Sequence, residues 1–171
     1  VAAYGVVANI SLVAVALFNG IAQGSQPLVS ECYGKGKMQD VKYVVKLAIR
    51  TAVVLAVLII AAIYIWSDPI ASIFNSEKNM ELAAYAREGI RLYFLGFLFA
   101  GVNIVGTSAL SAVEAVRWAF VSSIMRGFVA ILIFAFVLSA AFGMTGVWLA
   151  FPAAELVTMV LSIAGLRKSL K

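Results

Sequence analysis

Histidine is absent from this chain of 171 residues, and cysteine occurs once, at Cys32. A single cysteine excludes an internal disulfide. Histidine is the commonest metal ligand and acid–base catalyst, so without it we expect no metal site, no cofactor and no enzymatic activity. Charged residues are also scarce, at 12% against roughly a quarter in soluble domains. These shortages argue against a soluble enzyme.

Apolar residues are what the chain has in abundance, at 64%. Polar clusters divide them into five runs, at residues 1–33, 41–66, 82–113, 118–142 and 147–166. Each run reaches the about 20 residues that a helix needs to cross about 30 Å of hydrocarbon. We therefore predict an all-α, polytopic transmembrane bundle of about five helices, forming one unit over residues 1–171. Because the chain begins with valine inside a predicted span, we expect it to be a fragment of a longer protein.

The net charge of +5 has a distribution that suits a membrane topology. Basic residues recur on alternate connections between the predicted helices and in the tail: Lys35, Lys37, Lys42, Arg117, Arg167, Lys168 and Lys171. The positive-inside rule then places the first and third turns and the C-terminus in the cytoplasm. We expect a multi-pass protein of the inner or plasma membrane, in contact with lipid and not with nucleic acid.

A polar stripe runs along the first predicted helix. At 100° per residue, its members fall within a sector of about 100°: Asn9, Asn19, Gln23, Gln26 and Ser30. Amides are costly in hydrocarbon unless they are paired, so this face should meet other helices or a water-filled cavity. Two interpretations stay open, namely hydrogen bonds that hold helices together and the lining of a cavity.

The third predicted helix has a narrower stripe, in which Gly89, Gly96, Asn103 and Thr107 fall within about 40°. The glycines favour close approach of another helix. Asn103 and Thr107 lie well inside the span and are candidates to contact a substrate or to bind a cation through oxygen.

Glu155 is the carboxylate nearest the middle of any predicted span. Arg126, on the preceding antiparallel helix, lies at a depth that differs by about 5 Å at 1.5 Å per residue, a gap that an arginine side chain can cover. The pair is either structural, or a proton-exchange site or gating latch.

Three segments resemble the multidrug and toxic compound extrusion (MATE) family. Residues 20–36, GIAQGSQPLVSECYGKG, are similar to its eighth helix and the turn that follows; residues 124–128, IMRGF, resemble the arginine-containing part of its eleventh; and residues 146–155, GVWLAFPAAE, resemble its twelfth. The resemblance implies a parent protein of twelve helices in two six-helix bundles. This chain would supply the last five helices, and its partners would be the first bundle and the seventh helix.

The resemblance also implies a function, which is export of cationic, often aromatic drugs in exchange for Na⁺ or H⁺ by alternating access. Asn19, Gln23, Gln26, Asn103 and Thr107 would then line the substrate cavity. Some members of the family carry acids on the eighth and tenth helices, where this chain has amides and a threonine. Ion coupling would therefore rest on Glu155, with Arg126 beside it, or on an acid of the absent bundle.

Two other functions are open at this point. The chain could belong to a lipid-linked oligosaccharide flippase of the same superfamily, whose cavity would be more charged. It could also be a membrane scaffold that transports nothing, in which the polar stripes only join helices.

Overall fold

The structure is a computed structural model that describes residues 2–73 and 80–170, so that Val1, residues 74–79 and Lys171 lie outside the described residues. Its elements are α1 (Ala2–Gly34), α2 (Met38–Ile73), α3 (Met80–Ala112), α4 (Val116–Ile124), a π-helical turn (Met125–Val129) and α5 (Ala130–Ser169). The described residues contain no strand, and the prediction of an all-α membrane bundle is confirmed. Helix α2 is longer than predicted at both ends.

The segment from α4 to α5 folds back on itself at Gly143. A straight helix over the 54 residues of Val116–Ser169 would be about 81 Å long, at 1.5 Å per residue. Instead, Trp118 lies against Gly165, and Arg126 contacts Glu155. Residues 116–142 and 144–169 are thus antiparallel, so that the four membrane-length helices of the described residues give five segments when the last is divided at Gly143.

Gly143 makes this reversal because its backbone adopts φ 57° and ψ −131°, a conformation that residues with a Cβ rarely adopt. We expect Gly143→Ala to destabilise the full-length protein by about 1–3 kcal/mol, which is typical of a sparsely populated backbone region. Thermal unfolding of the purified protein in detergent measures the change.

Gly34→Ala is the matched control, because a Cβ at Gly34 would meet no neighbour within 4 Å and its φ is not positive. Equal melting temperatures for Gly143→Ala and Gly34→Ala would contradict the role given to Gly143.

The turns after α1 and α3 have the same hydrogen-bond pattern. After α1, the Gly36 N–H donates to Tyr33 O at 2.9 Å and the Lys37 N–H to Cys32 O at 2.9 Å, with Gly36 at φ 71°. After α3, Glu114 takes the place of that glycine at φ 58°. This is the Schellman motif, which turns each chain tightly enough for the next helix to run antiparallel.

Helix α3 is the centre of the bundle and packs against α1, α2 and α5. Its glycines permit close approach, as predicted: a Cβ at Gly89 would overlap the Trp148 ring, and one at Gly96 would overlap the Phe151 ring. Tyr93 stacks on Phe151 with 4.6 Å between ring centroids. Aromatic packing therefore holds α3 and α5 together at this level of the bundle.

Helix α1 and the α4–α5 hairpin lie on different sides of α3. No Cα atom of α1 lies within 8 Å of a Cα atom of α4 or α5 among the described residues. A cleft therefore separates these elements, and α3 forms its back wall. This cleft positions the candidate site.

Candidate transport cavity

The cleft holds a cavity of about 680 Å³, within the usual size range of small-molecule sites. Its lining mixes amides, hydroxyls, one ion pair and apolar side chains: Asn19, Gln26, Ile104, Thr107, Ser108, Ser111, Ser123, Arg126, Gly127, Ile131, Phe151, Ala154 and Glu155. Polar atoms at this depth cost free energy unless they are paired or hydrated. The cavity is thus suited to a ligand with both polar and apolar parts.

The cavity wall contains a buried ion pair between Arg126 and Glu155. The Arg126 Nε atom donates to Glu155 Oε1 at 2.8 Å. The Glu155 side chain is only 4% exposed, whereas that of Arg126 is 29% exposed. Both residues line the cavity, and the guanidinium is the more exposed member of the pair.

Asn103 holds the same carboxylate from the other side. Its Nδ2 atom donates to Glu155 Oε2 at 2.6 Å and to the Glu155 main-chain oxygen at 2.8 Å. Both carboxylate oxygens therefore have donors. The Asn103 Oδ1 atom, by contrast, is buried with no hydrogen-bond partner among the described residues, and a buried polar atom of this kind requires an explanation.

The π-helical turn carries Arg126 to this position. The Ala130 N–H bonds to Met125 O, five residues back, which adds one residue to the turn and shifts the side chains around it. Gly127 follows Arg126 on the cavity wall, and a Cβ there would meet no neighbour within 4 Å. The turn thus presents a cation and a bare stretch of backbone to the cavity.

Most of the predicted site residues come together here. Asn19, Gln26, Thr107, Arg126 and Glu155 all line the cavity. Their roles in binding and coupling stay predictions.

Gln23 and Asn103 are not part of the cavity wall. Gln23 is exposed and points about 40° away from Asn19 on α1, at 100° per residue. Asn103 is fully buried because it lies on the central helix, behind Glu155. Asn103 therefore contacts the Glu155 carboxylate, and the role of Gln23 in lining a substrate cavity stays a prediction.

Three hydroxyls of the lining were not predicted from the sequence, namely Ser108, Ser111 and Ser123. Ser111 follows Thr107 by four residues, and Ser123 precedes Arg126 by three, so each lies next to a predicted site residue on the same helix face. The spacing of three or four residues from a predicted site residue could therefore have indicated Ser111 and Ser123.

The fold and the cavity together define a multi-pass α-helical membrane protein with an internal polar site. A family model described as MatE matches residues 1–137, which is well over half of the chain, and the chain belongs to this family.

Two curated relatives are the multidrug export proteins MepA of Staphylococcus aureus strains bovine RF122 / ET3-1 and MRSA252. Each is 25% identical to this chain over 150 residues, which cover 86% of this chain and 32% of the relative. The chain thus spans about a third of the length of these relatives.

Two solved structures have the same fold. They are the inward-facing and the outward-facing conformations of a multidrug resistance MATE family transporter of the MOP superfamily, at TM-scores of 0.86 and 0.85 and 15% and 14% identity. Each match covers 98% of this chain, and it covers 39% and 38% of the respective solved chain. The likeness therefore includes Glu155, which lies beyond the residues matched by the family model.

Proposed function

We propose that this chain is part of a secondary active efflux transporter, which exports organic cations in exchange for Na⁺ or H⁺ by alternating access. The observation that carries the proposal is the Glu155 carboxylate, buried beside a cavity of about 680 Å³ and held by Arg126 and Asn103. An ionisable group at this depth is costly, and in membrane proteins such groups mark ion and substrate pathways. Membership of the MatE family agrees with this function.

The ion pair supplies a means of coupling. With Glu155 ionised, its charge compensates Arg126, so the cavity is tolerant of a cationic drug. When a proton or Na⁺ takes up the charge of Glu155, the positive charge of Arg126 at the cavity wall is no longer compensated. It then repels the drug, because like charges interact strongly in a medium of low dielectric constant. Ion binding and drug binding thus exclude each other, as antiport requires.

Asn103 fits either coupling ion. If Glu155 is protonated, its O–H needs an acceptor, and the unpartnered Oδ1 of Asn103 becomes that acceptor when the amide rotates. If the ion is Na⁺, the same Oδ1 and the carboxylate are oxygen ligands of the type that hard cations prefer. The two ions would use the same side chains.

The proposal includes partners for the open side of the cleft. The first six-helix bundle and the seventh helix of the parent protein would cover the polar face of α1, where Asn9, Gln23 and Ser30 are exposed. Amides without a partner do not persist in lipid. The C-terminus after α5 would lie in the cytoplasm, in agreement with the basic residues of that end.

The two alternative functions have less support. A flippase of charged lipid-linked sugars would need several basic side chains in its cavity, whereas Arg126 is the one basic residue among the described residues of the lining. A scaffold would have no reason to keep an ion pair beside a cavity of this size. If the reconstituted parent protein showed no ion-dependent movement of substrate, the scaffold function would be favoured.

Substitution of Gln26 tests the cavity assignment. We expect Gln26→Ala in the full-length protein to raise the KM for export of an organic cation such as ethidium about 10- to 100-fold in proteoliposomes. The reason is the loss of a hydrogen bond to a charged group, which is worth about 1.5–3 kcal/mol. Gln39→Ala is the matched control, because Gln39 is an exposed amide at the start of α2. If both variants keep the parental KM, Gln26 does not bind the drug.

A further inference from the structure

A second cavity lies where α4 begins and α5 ends. It has a volume of about 680 Å³, and its lining is Glu114, Ala115, Val116, Arg117, Trp118, Val121, Lys168 and Ser169. A neighbouring cavity of about 550 Å³ is lined by Val160, Ile163, Ala164, Arg167 and Lys168. The two share Lys168, and neither shares a residue with the candidate transport cavity. We call the two together the basic groove.

The basic groove has an excess of positive charge. Arg117, Arg167 and Lys168 are exposed, and none of them has a carboxylate partner among the described residues. The Lys168 ammonium lies 5.9 Å from the centre of the Trp118 ring, within the range of a cation–π contact. Glu114 is the one acid of the described lining. Three cations against one carboxylate attract an anion to this end of the bundle.

The start of α4 adds backbone donors to the same place. Ala115, which precedes the helix, gives no side-chain cap. The N–H groups of Val116 and Arg117 have no backbone acceptor among the described residues. A helix start with free N–H groups favours a bound phosphate, here within reach of the basic side chains.

The groove becomes apolar along the direction into the membrane. At 1.5 Å per residue, Val121 lies about 6 Å beyond Arg117, and Val160 lies about 12 Å from Lys168. Phe120 and Val160 are 64% and 60% exposed. Trp118 lies between the charged and the apolar parts of the groove. Tryptophan is enriched at this level in membrane proteins, where the lipid headgroups meet the hydrocarbon. A phosphate at one end and hydrocarbon along the other is the chemistry of a phospholipid.

We propose that the basic groove binds an anionic phospholipid, with its phosphate between Arg117 and Lys168 and an acyl chain along Val121 and Val160. Basic pockets between transmembrane helices bind lipid headgroups through the same combination of charges. The site is independent of the transport cavity, so it stands or falls without the proposed function.

Native mass spectrometry of the purified full-length protein with palmitoyl-oleoyl phosphatidylglycerol tests the proposal. We expect Arg117→Gln with Lys168→Gln to weaken lipid binding about 30-fold, as two basic residues near an anionic surface would. Lys37→Gln with Lys42→Gln is the matched control, since both lysines are exposed at the same end of the bundle, lie outside the groove and have no carboxylate partner among the described residues. This control should bind as the parent does.

Two further measurements keep the test independent of folding defects. Glu114→Gln should strengthen phosphatidylglycerol binding, an effect opposite in sign to damage. Phosphatidylcholine with the same acyl chains should bind more weakly, because its headgroup has no net charge. If the control and the groove variants bound phosphatidylglycerol equally, the proposal would be overturned. It would also be overturned if the parent protein bound both lipids equally. Displacement of the lipid by inorganic phosphate at equal concentration would also overturn it, since the site would then be one for a free anion.

Discussion

Glu155→Gln is expected to reduce ion-dependent drug export by the full-length protein to the level of protein-free vesicles. Glutamine keeps the size of the side chain and can still accept a hydrogen bond from Arg126, so the fold should persist. It cannot carry a charge, however, and it leaves the positive charge of Arg126 permanently uncompensated at the cavity wall. A cationic drug is then repelled, and neither a proton nor Na⁺ can change that state.

Proteoliposomes with an imposed ion gradient measure this effect, as the initial rate of ethidium efflux with and without the gradient. Glu88→Gln is the control, because Glu88 is an exposed acid near the start of α3, away from the cavity. It should transport at the parental rate. Gradient-dependent efflux by Glu155→Gln at the parental rate would show that Glu155 is not the coupling acid.

Arg126→Met is expected to have the largest effect on stability. It leaves the Glu155 carboxylate, whose side chain is 4% exposed, with Asn103 as its remaining donor. Removal of one partner from a buried ion pair typically costs about 3–5 kcal/mol. The double variant Arg126→Met with Glu155→Gln removes both charges, and we expect it to recover most of that loss.

Thermal unfolding of the four proteins, namely the parent, the two single variants and the double variant, gives the coupling free energy of the pair. The double-mutant cycle separates the ion pair from other effects of each substitution. A double variant less stable than either single variant would contradict the pairing as the cause. Transport should not return in the double variant, because the coupling acid is still missing.

The ion pair itself was accessible from the sequence. Glu155 and Arg126 were the opposite charges at similar depth on two consecutive predicted helices, and burial of either alone would have been costly. In the structure, the Arg126 Nε atom lies 2.8 Å from Glu155 Oε1. The five apolar runs were equally clear, because length and composition alone determine whether a helix can span a membrane.

The hydrogen-bond partners of Asn103 could not be predicted from the sequence. A helical wheel shows which side chains share a face, but it does not show what that face meets. Asn103 lies where α3 packs against α5, so its amide meets the Glu155 carboxylate, whereas Thr107, one turn further along the same helix, lines the cavity. Asn19 and Gln26 belong to a helix at the edge of the cleft, where the same kind of side chain faces open space.

Local departures from regular α-helical geometry could not be predicted from the sequence either. The π-helical turn at Met125–Val129 has no distinctive residue pattern, since its one glycine, Gly127, does not by itself predict an inserted residue. Glu114 at φ 58° occupies a position that normally favours glycine. Such departures depend on tertiary packing, which outweighs local preference.

The single-residue reversal at Gly143 has a consequence for the biosynthesis of the protein. A glutamate at the centre of a span raises the free energy of its insertion at the translocon by about 2.5–3.5 kcal/mol. The preceding span has the same difficulty with its arginine. Since only Gly143 separates the two, they can leave the translocon together as a neutralised helical hairpin. Each span thereby lowers the free-energy cost of inserting the other.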